Sequence, residues 1–173
     1  GKVDPPIREK KDQEGLWAGL LDGTIDVIGT DHAAHFIELK EKEDIFEVQP
    51  GSPGNELALP IMLTHVNRGV IGLERLVKVM STNAAKIFNL YPKKGVICIG
   101  ADADVVVVDL KRSVKICAEK LQTKAKINSM IYEGMVVDGI PILTVVNGQV
   151  VMREGDIVGK PGVGRFVAPL EFS

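Results

Sequence analysis

Asp22-Gly23-Thr24-Ile25-Asp26-Val27-Ile28-Gly29-Thr30-Asp31-His32-Ala33-Ala34-His35 places a helix stop, a short apolar run and a polar cluster in immediate succession. Ahead of it, Glu9 to Leu21 sets Leu16, Trp17, Leu20 and Leu21 at helical spacing on one apolar face. Gly23 ends that helix, because glycine enters the left-handed conformation past a helix end without a Cβ penalty. Thr24 to Thr30 then reads as a short buried strand. Helix, stop and strand so closely joined are the αβ half of a βαβ repeat, which predicts an α/β fold. Catalytic side chains collect at the carboxyl ends of strands in such folds, and Asp31-His32-Ala33-Ala34-His35 occupies that position.

Downstream, a long connection runs from Asp31 to Gly54. It holds a charged stretch, Glu38 to Glu47, and a Pro-Gly-rich stretch, Gln49 to Gly54. A loop of this length in a compact domain is functional or mobile. Helical patterns return at Leu57–Val66 and Leu73–Met80, and a third short helix is predicted over Asn83–Leu90 with Ser81 or Thr82 as its N-cap. From Gly95 the pattern changes to strands and turns. Val96–Ile99 reads as a strand between turns, and the valines 105 to 108 read as a buried strand. Asn147-Gly148 between Leu143–Val146 and Gln149–Met152 predicts a tight hairpin, since both turn positions favour positive φ. The Gly/Pro-rich tail Gly159–Arg165 is expected to wrap a surface.

Composition narrows the class. The chain has 173 residues, 45% of them hydrophobic, with a formal net charge of -2. That is enough apolar material for a sizeable core and excludes intrinsic disorder. The lysines at 111, 115, 120, 124 and 126 are dispersed among Glu, Val and Ile, a solvated face and no nucleic-acid patch. No apolar run approaches the ~20 residues of a membrane span, and Gly1 to Pro6 carries no signal region. Cys98 and Cys117 lack the spacing of a disulfide framework or a zinc knuckle. A reducing, cytoplasmic setting is expected.

Asp31 is the chemically informative residue. A carboxylate just past a strand can ligate a divalent metal with one oxygen and take a proton from a metal-activated water with the other. An Asp-His pair there can equally be a helix cap beside a solvated His, and both readings stand at this point. The His count is 3, so His32, His35 and one Asp cannot close a metal site by themselves. His65 falls in an apolar helical stretch and reads as a core or helix-surface residue, and Trp17 reads as core. Asp102 and Asp104 precede a strand and read as turn formers.

In order along the chain, several segments resemble the cyclic amidohydrolases: the dihydroorotases, the dihydropyrimidinases or hydantoinases, and the allantoinases. Lys2-Val3-Asp4-Pro5-Pro6-Ile7-Arg8 resembles the family's K-x-N-P-P-L-R segment, and Thr30–His35 its T/S-D-H-A-P-H signature. Pro50-Gly51-Ser52-Pro53-Gly54-Asn55-Glu56 is similar to its P-G-x-x-G-x-E loop. Ser81–Phe88 is similar to S-T-N-P-A-R-I-F, and Gly100–Asp104 to G-A-D-A-D.

This resemblance implies the C-terminal part of a TIM-like (β/α)8 metallo-hydrolase barrel, followed by strands of a small β-sandwich domain. Residues 1–92 would supply the last barrel strand and its helices, and residues 93–173 the sandwich part and tail. A barrel needs roughly 250 residues, so an N-terminal portion is expected elsewhere. The family's binuclear Zn2+ centre has most of its ligands in that portion. Here Asp31 would be the one metal ligand and the general base, serving attack on the ring amide and then protonating the leaving nitrogen. Asp4, His35, Pro50 and Gly51 would contact substrate. Asp4 stands where the family has Asn and would repel an anionic ring unless it contacts through its backbone; Ala34 stands where the family has Pro.

His35 favours dihydroorotase, which interconverts dihydroorotate and N-carbamoyl-aspartate in pyrimidine biosynthesis, over hydantoinase or allantoinase. A non-catalytic scaffolding relative is the alternative from another class, and retention of Asp31 argues against it. Family members are commonly homo-oligomers, so self-association is expected, with a small cyclic amide as the partner molecule.

Overall fold

Helix α1 (Lys10–Asp22) begins where the Asp12 carboxylate accepts the Glu9 N–H at 3.1 Å and ends at Gly23, φ 101°. A computed structural model describes residues 2–170. Only part of the predicted apolar face of α1 is covered: Leu20 is buried and Trp17 packs on the core, while Leu16 and Leu21 are 63% and 48% exposed.

The strand predicted over Thr24–Thr30 is a correction. These residues carry no regular secondary structure and have no ladder partner among the described residues. A parallel strand needs a neighbouring strand to receive its N–H and C=O groups. Helical residues take that role here. Ile28 N–H donates to Val79 O at 2.9 Å, the Arg75 guanidinium donates to Ile25 O at 2.9 Å, and the Asn83 side-chain amide donates to Asp26 O at 2.9 Å.

Helix α2 (Ala58–Asn67) and helix α3 (Leu73–Val77) follow, and α3 runs through one π-helical turn (Lys78–Thr82) into α4 (Asn83–Ile87). Because this path is continuously helical, neither Ser81 nor Thr82 caps α4. The Thr82 hydroxyl instead donates to Gly95 O at 2.8 Å. Buried Leu20, Met62, Leu63, Ile71, Leu76 and Val79 form the main core, with Ile25 and Ile28 packed against it.

The sheet is antiparallel throughout, in the order β1 (Val105–Lys115), β2 (Val136–Val146), β3 (Gln149–Arg153) and β4 (Asp156–Ile157). The β2–β3 hairpin turns at Asn147 and Gly148, φ 48° and 77°, with Val146 opposite Gln149 as the sequence predicts. The valines of β1 are less buried than predicted, because β1 is an edge strand, and Val106 and Val107 are 46% and 42% exposed. Val96–Ile99 is a further correction: it forms turns, not a strand, and Ile97 and Ile99 lie exposed.

Helix α2 lies directly on β2. A Cβ on Gly139 would come within 2.9 Å of Leu63 Cβ, so glycine is what allows the approach. Asn67 then bridges the two strands, its amide donating to Leu110 O and Asp138 O at 2.8 Å each. Past β4 the tail folds back on the hairpin, Val163 O accepting from the Asn147 side chain at 2.9 Å.

Candidate functional site

Two segments distant in sequence are fastened side by side, and nearly every predicted site residue lies on one of them. Thr30 Oγ1 donates to Asn55 Oδ1 at 2.6 Å, and Ala33 N–H donates to Ser52 O at 3.1 Å. His35 Nε2 donates to Pro50 O at 3.1 Å. His32 Nδ1 accepts the backbone N–H groups of Gly54 and Asn55 at 3.1 and 3.2 Å, which places its ring proton on Nε2. The Thr30–His35 and Pro50–Asn55 segments therefore form one unit.

Gly51 is the point of closest approach. Its φ is 128°, a conformation open to glycine, and a Cβ there would overlap the Ala33 methyl and stand 3.2 Å from Ala33 O. The third segment, bearing Asp4, joins through Lys2: Gly51 N–H donates to Lys2 O at 3.1 Å. The structure thus brings Asp31, His35, Pro50, Gly51 and the Asp4 segment into one neighbourhood.

Asp31 has φ 44°, which an Asp tolerates and a β-branched residue would not. Its carboxylate is exposed and has no hydrogen-bond partner among the described residues. The next helical turn, Ile37–Leu39, begins after Phe36, so Asp31 caps no helix. Of the two readings of Asp31 left open by the sequence, the cap is excluded. An anionic oxygen not otherwise engaged, on a backbone held at positive φ, suits one ligand position of a metal centre. Among the described residues no group of three or more His, Cys, Asp or Glu is gathered to hold a metal.

His65, Asp102 and Asp104 are engaged elsewhere in the fold. His65 packs at a tilt against Trp17, ring centroids 4.7 Å apart and planes 56° to each other, and burial, helped by the Arg68 charge, lowers its pKa below the ordinary histidine value. Asp102 pairs with Lys94 at 2.9 Å and Lys93 at 3.3 Å, and the Lys94 hydrogen bond holds its carboxyl below the usual range. Asp104 accepts the Asn147 N–H at 2.7 Å, tying the entrance of β1 to the hairpin turn.

Sequence reasoning missed Lys40 and Asn55. Lys40 sits inside the charged stretch, where nothing in the pattern separates it from solvated neighbours. Its ammonium donates to Lys2 O at 3.0 Å and to Gly51 O.

The sequence profile of the amidohydrolase family matches residues 7–151. An L-hydantoinase of Paenarthrobacter aurescens is 41% identical over 169 residues, covering 96% of this chain and 36% of that protein. A dihydroorotase of Pyrococcus furiosus is 41% identical over 166 residues, again covering 96% of this chain and 37% of the relative. Among solved structures, the L-hydantoinase (dihydropyrimidinase) from Arthrobacter aurescens superposes with a TM-score of 0.86 at 39% identity, over 96% of this chain and 37% of that one. The chain thus spans little more than a third of the length of these relatives.

Proposed function

The chain belongs to the amidohydrolase family, and on that premise we propose that it supplies the Asp31 carboxylate and the substrate-contacting loops for hydrolysis of a cyclic amide. The observation that carries this reading is the state of Asp31: exposed, unbonded among the described residues, and fixed at positive φ beside the fastened Pro50–Asn55 segment. In this reading the chain forms the end of a TIM-like barrel, residues 1–92, and part of a β-sandwich, residues 93–173. The other metal ligands come from protein beyond it.

Zinc, when bound, would supply a nucleophile at neutral pH by lowering the pKa of water to about 7. Asp31 would be one of the residues that hold the metal, and its carboxylate would take up a proton as the ring amide is hydrolysed and return it to the departing nitrogen. Pro50 and Gly51 would meet the ring through their carbonyl oxygens, each of which keeps a second lone pair beside its bond to His35 or Lys40, and glycine permits the chain to come close. His35, with one ring nitrogen engaged on Pro50 O, is fixed in orientation at the same place.

Dihydroorotate is the substrate this arrangement fits best. His35 stands on the Pro50–Gly51 loop, where an imidazole N–H can meet the carboxylate of a ring that bears one. A hydantoin ring is the second reading, supported by the 41% identity to an L-hydantoinase. Both are tested in the full-length protein by assaying dihydroorotate, dihydrouracil, hydantoin and allantoin side by side. Preference for an uncharged ring rejects dihydroorotate. Asp31→Asn is expected to abolish turnover, and activity retained in that variant rejects the general-base role.

A further inference from the structure

We infer that Lys40 is a positioning residue: its ammonium pins the segment carrying Asp4 to the loop carrying Pro50 and Gly51, and so sets where the ring-contacting groups stand. The inference rests on the functional reading above. Its geometry is independent of that reading.

Lys40 Nζ donates to Lys2 O at 3.0 Å and to Gly51 O, while Gly51 N–H donates to the same Lys2 carbonyl at 3.1 Å. Lys2 returns the contact, its own ammonium donating to Lys40 O at 2.7 Å. The two lysines therefore hold each other's backbone, and the first glycine of the loop is held at both its N–H and its C=O. The root of the Lys40 side chain is fixed as well. Its amide N–H closes the Ile37–Leu39 turn on Ile37 O at 2.8 Å, and Gln49 N–H donates to Leu39 O at 2.9 Å.

A cation is the suitable hub for this knot. Two carbonyl oxygens converge on one point, and their negative ends would repel each other without a multiple donor between them; hydrogen bonds to a charged donor are also stronger than neutral ones. Among the described residues no carboxylate pairs with Lys40, so its charge is directed to the backbone alone. Burial, followed by repulsion from Lys2, lowers the Lys40 pKa from the ordinary lysine value, in keeping with an ammonium drawn partly out of water.

The test uses the full-length protein and Lys40→Met, which keeps the apolar stem and removes the charge. Losing the hydrogen bonds to a charged donor is expected to raise KM for the ring substrate by about tenfold while kcat stays within about twofold. Lys40→Arg, whose fork can reach two carbonyls, is expected to recover most of the loss. Amide exchange at Gly51 is expected to quicken by about tenfold in Lys40→Met, whether or not substrate is present. An unchanged KM in an active enzyme, or unchanged Gly51 exchange, overturns the inference. A wild-type protein that turns over none of the four rings defeats the functional reading instead, and Gly51 exchange then decides the clamp by itself.

Discussion

Gly51→Ala tests how the site is held together. The backbone at 51 has φ 128°, and a side chain there would overlap the Ala33 methyl while standing 3.2 Å from Ala33 O. Holding a non-glycine residue in such a conformation costs roughly 1–3 kcal/mol, and forcing a methyl into occupied space costs about as much again. The variant should therefore open the contact between the two segments by roughly 2–6 kcal/mol, the sum of both effects. Amide exchange of Ala33, whose N–H donates to Ser52 O at 3.1 Å, reads that opening directly. Since about 1.4 kcal/mol is a factor of ten, exchange at Ala33 should accelerate at least about thirtyfold. The steric share can be isolated by a cycle with Ala33→Gly, which removes the obstructing methyl and leaves the backbone strain. A coupling of about 1–3 kcal/mol is expected between the two positions. Acceleration below threefold, or coupling indistinguishable from zero, would refute the claim that this glycine sets the spacing of the site.

Two further outcomes follow from contacts outside the site. Arg75→Met should strand Leu20 O and Ile25 O, which accept from the guanidinium at 2.8 and 2.9 Å, and lower stability by roughly 2–4 kcal/mol in denaturant titration. Burial depresses the folded-state pKa of His65, so its contribution to stability is complete above the unfolded value of 6.5 and declines as pH falls below it, until the folded pKa is reached. His65→Leu should remove that slope, and a stability–pH curve as steep as wild type would count against it.

What could be read from the sequence divides along a physical line. The Asn147-Gly148 hairpin, the Gly23 stop and the course of α2 depend on neighbours within a few residues, and each stands where local rules put it. The residue types and order of the Asp31–His35 cluster stand out in the sequence, while its place beside the Pro50–Asn55 segment is set by long-range hydrogen bonds that no local rule records. The strand expected at Thr24–Thr30 was not realised, since strand identity depends on a distant partner and the groups meeting this segment come from Arg75, Val79 and Asn83. Lys40 and Asn67 were illegible for a related reason. Each acts by donating to main-chain oxygens far away in sequence, and no periodicity records such an errand.

The long connection after His35 has an anatomy of its own. His35 meets Pro50, and Leu39 meets Gln49, so the excursion between them is laced shut at its base. Doubling a flexible excursion of this kind adds only about 0.6 kcal/mol of closure cost. Residues 41–47 can therefore be lengthened, shortened or recoloured while the segments beneath them stay fastened, which makes that excursion a natural address for a tag or a graft.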